Sequence, residues 1–531
     1  MKISDVDRKK LISAINLPNI NFMEILTGIM EKYDEVFSEE DIKLLESKED
    51  SRKLWKHDYP VLLRIDQTKE KISQIYISGN YRYYAKKKCT IKGVDYFYTS
   101  QLYGYGEATS HGDNRTPLWK WICEKFDISI EDAELCLPSS TEACCERGEK
   151  QLSTKGILQH INAYIAAKGF WFDEGLVENY YLSLKSKPFV ILAGTSGTGK
   201  TRLVRLFAEA IGATSDNGRY KLVSVRPDWS DSSDLFGHVD LNGKFIPGAI
   251  IDFINAAEWD SENPYFLCLD EMNLARVEYY LSDILSIIET RDFKDNRITT
   301  DQLISEDYYG SDKEALGKYG EIRIPENLYI VGTVNMDETT FPFSRKVLDR
   351  ANTIEFSTVD FLQETEISTL AEPRVIDLGN DFIKAEYVFF KQCESEKEYV
   401  DKLCVELQEI NKILQKANAH VGYRVRDEIA FYMLNNKKAE LLSEDEAFDN
   451  EIMQKILPRI QGSSAAVKNM LCELFRRCAG EYESYQTESD DISSKMFKAA
   501  QKADCKYRKS AEKIAYMVRR FEEDGFTAYW L

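Results

Sequence analysis

The sequence predicts an α/β fold: a parallel sheet carrying a phosphate-binding loop, with an α+β domain before it and helices after it. Three observations predict this. An apolar run at 189–193 leads into a glycine-rich loop and then into a helical pattern, RLVRLFAEAI. Short apolar runs recur at 221–225 (KLVSV), 265–269 (YFLCL) and 328–334 (LYIVGTV). Helical stretches separate them, the order that a parallel sheet with crossover helices requires.

The elements follow in chain order. Residues 1–50 read as charged amphipathic helices. The stretch 58–107 is rich in Tyr, Ile and Val and carries Gly-Asn and Lys-Gly turn signals, so it reads as several strands. Residues 117–135 and 155–185 read as helical, the second leading into the first strand of the sheet. After about residue 360 strand signals fade. Segments 380–417, 426–442, 448–457 and 464–480 read as helices, and SAEKIAYMVRRFEEDG is one more amphipathic helix with a glycine stop. A chain of 531 residues exceeds one hydrophobic core. The expected division is an α+β domain at 1–150, an α/β core at 151–360 and a helical lid with C-terminal helices at 361–531.

Composition narrows the function. The formal charge of −20 excludes a protein that coats nucleic acid with its whole surface, so any DNA contact needs a local basic patch or the pore of a ring. The 11 Cys include no C-x-x-C pair, and the five His are scattered, so neither a zinc knuckle nor a His-based metal site is expected. Free thiols fit a reduced compartment. The first twenty residues are charged and lack a long apolar core, and no stretch approaches the ~18–20 apolar residues of a membrane span. A cytoplasmic protein without a membrane segment is the expectation.

The most specific motif is Gly194-Thr195-Ser196-Gly197-Thr198-Gly199-Lys200-Thr201, which fits G-x-x-x-x-G-K-[ST] between a strand and a helix. Glycines there let backbone N–H groups turn inward around phosphates, and the helix N-terminus adds partial positive charge. Lys200 is placed to reach the β- and γ-phosphates and Thr201 to ligate Mg²⁺. The run Phe266–Glu271 is an apolar strand ending in two acids, a Walker B pattern. Asp270 at the strand tip would serve the Mg²⁺ shell, and Glu271 would polarise the attacking water. Together these motifs predict an enzyme that hydrolyses a nucleoside triphosphate.

The chain resembles the ring-forming AAA+ type of P-loop NTPase. Within it, KPFVILAGTSGTGKTRL, VRPDWSDSSDLFGHVD, CLDEMNLARVEYYLSDILSIIE and LYIVGTVNMDETTFPFSRKVLDRA resemble the McrB family, over roughly residues 175–480. That family holds the GTP-dependent motor subunits of McrBC-type modified-DNA restriction systems, and its D-E-[IM]-N-x-A pattern fits Asp270 to Ala275. The resemblance implies a hexameric ring, a separate McrC-like nuclease subunit, Mg²⁺, and GTP in preference to ATP. It implies a water-orienting sensor at Asn335, on the strand ending Val331-Gly-Thr333-Val-Asn335. It also implies an arginine finger at Arg350 or Arg345, with Arg350 the first choice and a surface ion pair the structural alternative. Arg424, Arg426 and Arg459 are lid candidates for a second sensor or an ordinary charged face. One departure stands out: Asn335-Met336-Asp337-Glu338 replaces the family's N-T-A-D text.

Two regions are less specific. Phe236, Gly237, His238, Asn242 and Gly243 mark a loop that either projects toward a partner or is packed down by Asp228 and Trp229. In the N-terminal domain, Tyr81, Arg82, Tyr83 and Tyr84 precede Lys86, Lys87 and Lys88, and Tyr96, Phe97, Tyr98, Tyr103 and Tyr105 follow. Basic and aromatic residues so interleaved suit phosphate contact and a flipped base, which makes 58–125 a candidate DNA reader, while an aromatic sheet core is the plainer account. The Asp-x-Lys triplets at 41–43 and 292–294 lack the strand context of a nuclease, so cleavage would need a partner. The expected function is the NTP-driven motor of a modified-DNA or anti-phage complex. The alternative is a MoxR-like ATPase that remodels proteins.

Overall fold

The computed structural model describes residues 3–4, 7–8, 11, 19–55, 60–65, 83–99, 115–126, 128, 153–294, 297–336, 341–356, 375–480 and 491–530. The chain divides into two compact units, Met1–Glu149 and Lys150–Leu531.

In the first unit, strands β1 (Leu62–Arg64), β2 (Tyr83–Ile91) and β3 (Val94–Thr99) form an antiparallel sheet in the order β1-β3-β2. Helices Asn19–Lys32, Glu39–Glu46, Lys48–Trp55 and Arg115–Lys125 accompany it. Its core holds Phe37, Trp55, Tyr96 and Trp119, all at most 2% exposed.

The second unit is built on strands β4 (Phe189–Gly194), β5 (Tyr220–Ser224), β8 (Tyr265–Asp270), β11 (Leu328–Asn335) and β12 (Asn352–Phe356). Between them lie two hairpins, β6 (Gly237–Val239) with β7 (Phe245–Pro247), and β9 (Asp292–Lys294) with β10 (Arg297–Thr299). The five strands are parallel in the order β12-β4-β11-β8-β5. Every residue of β4 is buried, as befits a parallel strand covered on both faces. Its alternation sorts the two layers. Val190 and Leu192 join one core with the helices Leu176–Ser186 and Lys200–Ala210, whereas Phe189, Ile191 and Ala193 join another with the helix Ile251–Trp259. Each such side chain removed from water contributes roughly 1.5–3 kcal/mol.

The first of those cores runs on without a break into the C-terminal helices Lys397–Gln415, Tyr423–Ala439, Ala465–Ala479 and Arg508–Asp524. The helix expected from residue 380 starts at Lys397 instead. The Gln392 carboxamide oxygen accepts from the amides of Val388 (2.7 Å) and Phe389 (2.8 Å), diverting that backbone into 3₁₀ turns. The segment expected as one helix at 448–457 is an α-helix, Glu444–Glu451, that loosens into a π turn, Ile452–Ile456. The helix Ile492–Ala500 was not foreseen. Among the described residues no helix is long and apolar enough to cross a membrane.

Candidate active site

The register of the sheet sets three tips side by side. Asn335 ends β11 opposite Gly194 at the end of β4, and on the far side of β11 Gly332 pairs with Leu269, one residue before Asp270. This is the carboxyl end of a parallel sheet, where ligands of open α/β folds sit. Gly197 (φ 81°) and Gly199 (φ 91°) adopt left-handed backbone, which a glycine accepts without cost, and Gly199 is the N-cap of the helix Lys200–Ala210. Lys200 is buried, and its ammonium donates to the carbonyls of Gly194 (3.1 Å) and Thr195 (2.6 Å).

The acids and hydroxyls form one hydrogen-bonded chain. Thr201 Oγ1 and Thr333 Oγ1 both donate to Asp270 Oδ1, each over 2.7 Å. Thr333 Oγ1 accepts from the Glu271 amide at 3.1 Å, and Asn335 Nδ2 donates to Glu271 Oε1 at 3.2 Å. Glu271 has φ 53° and ψ 47°, left-handed backbone at a residue that is not glycine. Such strain costs on the order of 1–3 kcal/mol and gathers at functional sites. The sequence pattern contained Thr333 but did not show that it joins Asp270 to the Glu271 backbone.

Thr201 Oγ1 and Asp270 Oδ1 are hard oxygen donors, which suits magnesium, an ion that takes one or two protein oxygens and completes its shell with water and phosphate. Beside the loop lies a cavity of about 640 Å³. Gly194 and Thr195 open into it, Asp173 and Glu174 stand at one wall, and Lys513 and Trp530 from the C-terminal segment close another. Thr353 and Trp530 also line it, and the Thr353 hydroxyl and the Trp530 indole N–H are buried without a hydrogen-bond partner. Its size suits a nucleotide.

The two finger candidates differ. Arg350 is spent within its own chain: Nε donates to the Leu285 carbonyl (2.6 Å) and lies 3.8 Å from Glu289 Oε1, while Nη1 donates to the Lys346 carbonyl (2.7 Å). Arg345 is exposed, and its side chain makes no ion pair or hydrogen bond among the described residues. Of the two, Arg345 is the guanidinium not engaged within its own chain. Arg426 pairs with Asp427 and lies over the Phe390 ring, an ordinary packed face. Arg424 Nε pairs with Glu289 at 2.6 Å, and Arg459 pairs with Asp349.

An ionic network ties the segment before β4 to the helix Tyr423–Ala439. Glu289 also accepts from Lys187 (3.1 Å), and Lys187 and Lys455 both donate to Glu428. Burial pushes the Glu428 carboxyl up, but the two lysines outweigh it and hold it at about 2.

Other expected residues fall outside this site. In the candidate loop, β6 and β7 pair around a tip that leaves Leu241 fully exposed, and Trp229 packs edge-on against Tyr280 at 5.4 Å. In the first unit, Tyr96 is buried and its hydroxyl donates to Glu46 (2.7 Å), a core role. Tyr81, Arg82, Tyr103 and Tyr105, the side chains of Tyr83, Tyr84, Lys86, Lys87, Lys88, Phe97 and Tyr98, and Asp337 and Glu338 lie outside the described residues.

Comparison with known proteins finds partial matches. Residues 189–351 match the AAA domain of the dynein-related subfamily, and residues 371–526 match a domain family of unknown function. The Lon protease of Mycoplasma mycoides is 31% identical over 234 residues, covering 40% of this chain and 28% of that protein. The Lon protease of Halothermothrix orenii is 29% identical over 171 residues, 32% of this chain and 18% of that protein. The chain thus spans less than a third of the length of these curated relatives. A crystal structure described as a candidate ATPase from Cytophaga hutchinsonii aligns with 58% of this chain and 88% of its own, at 14% identity and a TM-score of 0.35. With its phosphate loop, acid-tipped strand and five-stranded parallel sheet, the segment 189–351 has the α/β P-loop fold of an AAA+ domain.

Proposed function

We propose that the chain hydrolyses a nucleoside triphosphate at the tips of β4, β8 and β11, as the motor subunit of a modified-DNA restriction or anti-phage complex. The hydrogen-bonded chain from Thr201 through Asp270 and Thr333 to Glu271 and Asn335 carries this reading. The amides of Gly194–Thr201 and the Lys200 ammonium hold the β- and γ-phosphates. Thr201 and Asp270 would hold Mg²⁺, which would neutralise phosphate charge. Glu271 takes a proton from water as the water oxygen bonds to the γ-phosphorus and the bond to the bridging oxygen breaks. Nucleoside diphosphate and inorganic phosphate leave, and Asn335 fixes the carboxylate that received the proton. Arg345 serves the site of a neighbouring copy in a hexameric ring.

GTP is the favoured nucleotide and ATP the alternative. Resemblance to the McrB family supports GTP, and so do Asp173 and Glu174 at the cavity wall, since a carboxylate accepts from both N1–H and the 2-amino group of guanine. A McrC-like nuclease subunit would cut, residues 58–125 would contact DNA, and the complex would work in the cytoplasm. The partial likeness to two Lon proteases favours a second reading, an ATP-driven machine acting on proteins.

Steady-state hydrolysis of GTP and ATP by the purified chain, with and without duplex DNA, separates the two. GTP-selective turnover that DNA alters, absent in Glu271→Gln, is the expected result. ATP-selective turnover indifferent to DNA would transfer the case to protein remodelling. Unchanged nucleotide affinity in Lys200→Ala would remove the phosphate-loop assignment.

A further inference from the structure

Trp530 lines the cavity beside the phosphate loop and also lies against Phe343, with ring centroids 5.7 Å apart and planes at 60°. Phe343 stands just ahead of Arg345, and Ser344 between them is the N-cap of the short helix Arg345–Leu348. Val347 in that helix is fully buried in the core that holds the helix Ile251–Trp259, whereas Arg345 is exposed. The segment is thus gripped on both sides of Arg345, by Trp530 at Phe343 and by the core at Val347. Met336, the residue after Asn335, lines the same cavity, and its amide donates to the Gly194 carbonyl at 3.1 Å. The phosphate loop, the tip of β11 and Trp530 therefore meet at one cavity.

The residues around Trp530 fix where it sits. Gly525 (φ 68°) ends the helix Arg508–Asp524 in left-handed backbone, and its amide donates to the Phe521 carbonyl at 3.0 Å. After that turn β14 (Thr527–Ala528) pairs antiparallel with β13 (Gln461–Gly462). Tyr529 is fully buried and meets the Trp530 ring edge-on at 4.9 Å. The Lys513 ammonium lies 4.4 Å from the Tyr529 centroid and donates to Glu355 of β12 at 2.8 Å. Trp530 itself packs against both cores of this unit. Its indole N–H is buried without a partner, and native structures normally satisfy such a donor. A phenylalanine would leave no donor stranded, so burial alone does not account for an indole here.

We infer that Trp530 is a positioning residue for hydrolysis: braced by Tyr529 and the β13–β14 pair, it sets the segment Phe343–Arg345 against the nucleotide cavity and so fixes where the Arg345 guanidinium is presented. This rests on the hydrolysis reading above and on the role given there to Arg345, and it extends both to a residue outside every motif of the site. A small misplacement of a catalytic group, made far from the chemistry, can slow a reaction by about 10²-fold. Trp530 acts through Arg345, so its effect should disappear when Arg345 is gone.

The test uses full-length chains. Fluorescent GTP and ATP analogues are titrated into wild type, Trp530→Ala, Trp530→Phe, Phe343→Leu and Arg345→Ala, and single-turnover hydrolysis is measured for each. The same is done with Arg345→Ala combined with Trp530→Ala or with Phe343→Leu. Trp530→Ala and Phe343→Leu should bind nucleotide within about threefold of wild type and hydrolyse it about tenfold more slowly. Trp530→Phe, which keeps a ring against Phe343, should recover most of that loss. Adding either change to Arg345→Ala should slow hydrolysis by less than about twofold, because residues that act through one group are not additive. A further loss of about tenfold in the double variants overturns the inference, since independent structural effects add in full. Affinity that falls in step with turnover overturns it too, because Trp530 would then serve binding alone. If Trp530→Ala does not fold, Phe343→Leu decides by the same comparison. Full turnover in Arg345→Ala overturns the inference and leaves hydrolysis standing, whereas a wild type that hydrolyses neither nucleotide removes both readings.

Discussion

Thr333 Oγ1 donates to Asp270 Oδ1 over 2.7 Å and accepts the Glu271 amide over 3.1 Å, so one hydroxyl holds both acids at the end of β8. Thr201 donates to the same Asp270 oxygen from the phosphate loop. The three strands that form the site are therefore coupled through a carboxylate and two hydroxyls.

Thr333→Val keeps the shape of the side chain and removes both bonds. The Glu271 amide is then left without its acceptor, a cost of roughly 1–3 kcal/mol for a buried donor. Because the strained Glu271 backbone depends on that bond, turnover should fall about tenfold or more while nucleotide affinity changes little. Equal losses in affinity and turnover would show that Thr333 serves phosphate binding instead. Equilibrium titration and steady-state hydrolysis, run on the same preparation, give the answer.

Glu271→Gly should separate stability from activity. A glycine accepts φ 53° freely, so the exchange relieves strain worth about 1 kcal/mol and raises the thermal midpoint. The same exchange deletes the carboxylate that we propose takes the water proton, so turnover should drop by about 10²-fold or more. A variant that is both less stable and inactive would indicate that the carboxylate, held by Asn335, was supporting the fold.

Substitutions at Arg350 and Arg345 should give opposite phenotypes. Arg350→Ala abandons the carbonyls of Leu285 and Lys346 and removes a cation from the partly buried Glu289. It should lower the thermal midpoint and cost stability of about 1–3 kcal/mol. Arg345→Ala should leave the midpoint unchanged and abolish most turnover. A stable but inactive Arg350→Ala beside a fully active Arg345→Ala would return the finger to Arg350.

Much of this was legible in the sequence because it rests on local pattern. The loop 194–201, the acid pair at 270–271 and the strands at 189–193, 265–269 and 328–334 each announce themselves within a few residues, and all lie where the pattern put them. What was not legible depends on contacts between distant segments. Nothing near Arg350 signals that Leu285, 65 positions away, supplies an acceptor that Arg345 lacks. The same holds for Arg459 against Asp349, 110 positions apart. The helix expected from 380 begins at Lys397 because Gln392 caps the backbone at Val388 and Phe389, and the turns that follow, Phe390–Glu396, are 3₁₀, a side-chain contact that the pattern does not carry.

Glu451 sits at the junction where the helix Glu444–Glu451 loosens into the π turn, 1% exposed, and neither carboxylate oxygen has a hydrogen-bond partner. Burial pushes its carboxyl up to about 8, with Glu428 adding to the shift and Lys455 opposing it. Between the usual carboxylate value of 4.5 and 8 the folded state keeps a proton that the unfolded state gives up. Its contribution is therefore most favourable below 4.5 and is lost as pH rises toward 8, by an amount on the order of a few kcal/mol. Glu451→Gln keeps the neutral shape at every pH. The midpoints of wild type and variant should coincide near pH 5 and separate steadily to pH 8, the variant melting higher. Glu428, held at about 2 by its lysines, loses its contribution only as pH falls below 4.5, so it does not affect this window. Parallel melting curves for the two proteins from pH 5 to pH 8 would mean that Glu451 ionises normally in the folded chain, and that the junction opens to water there.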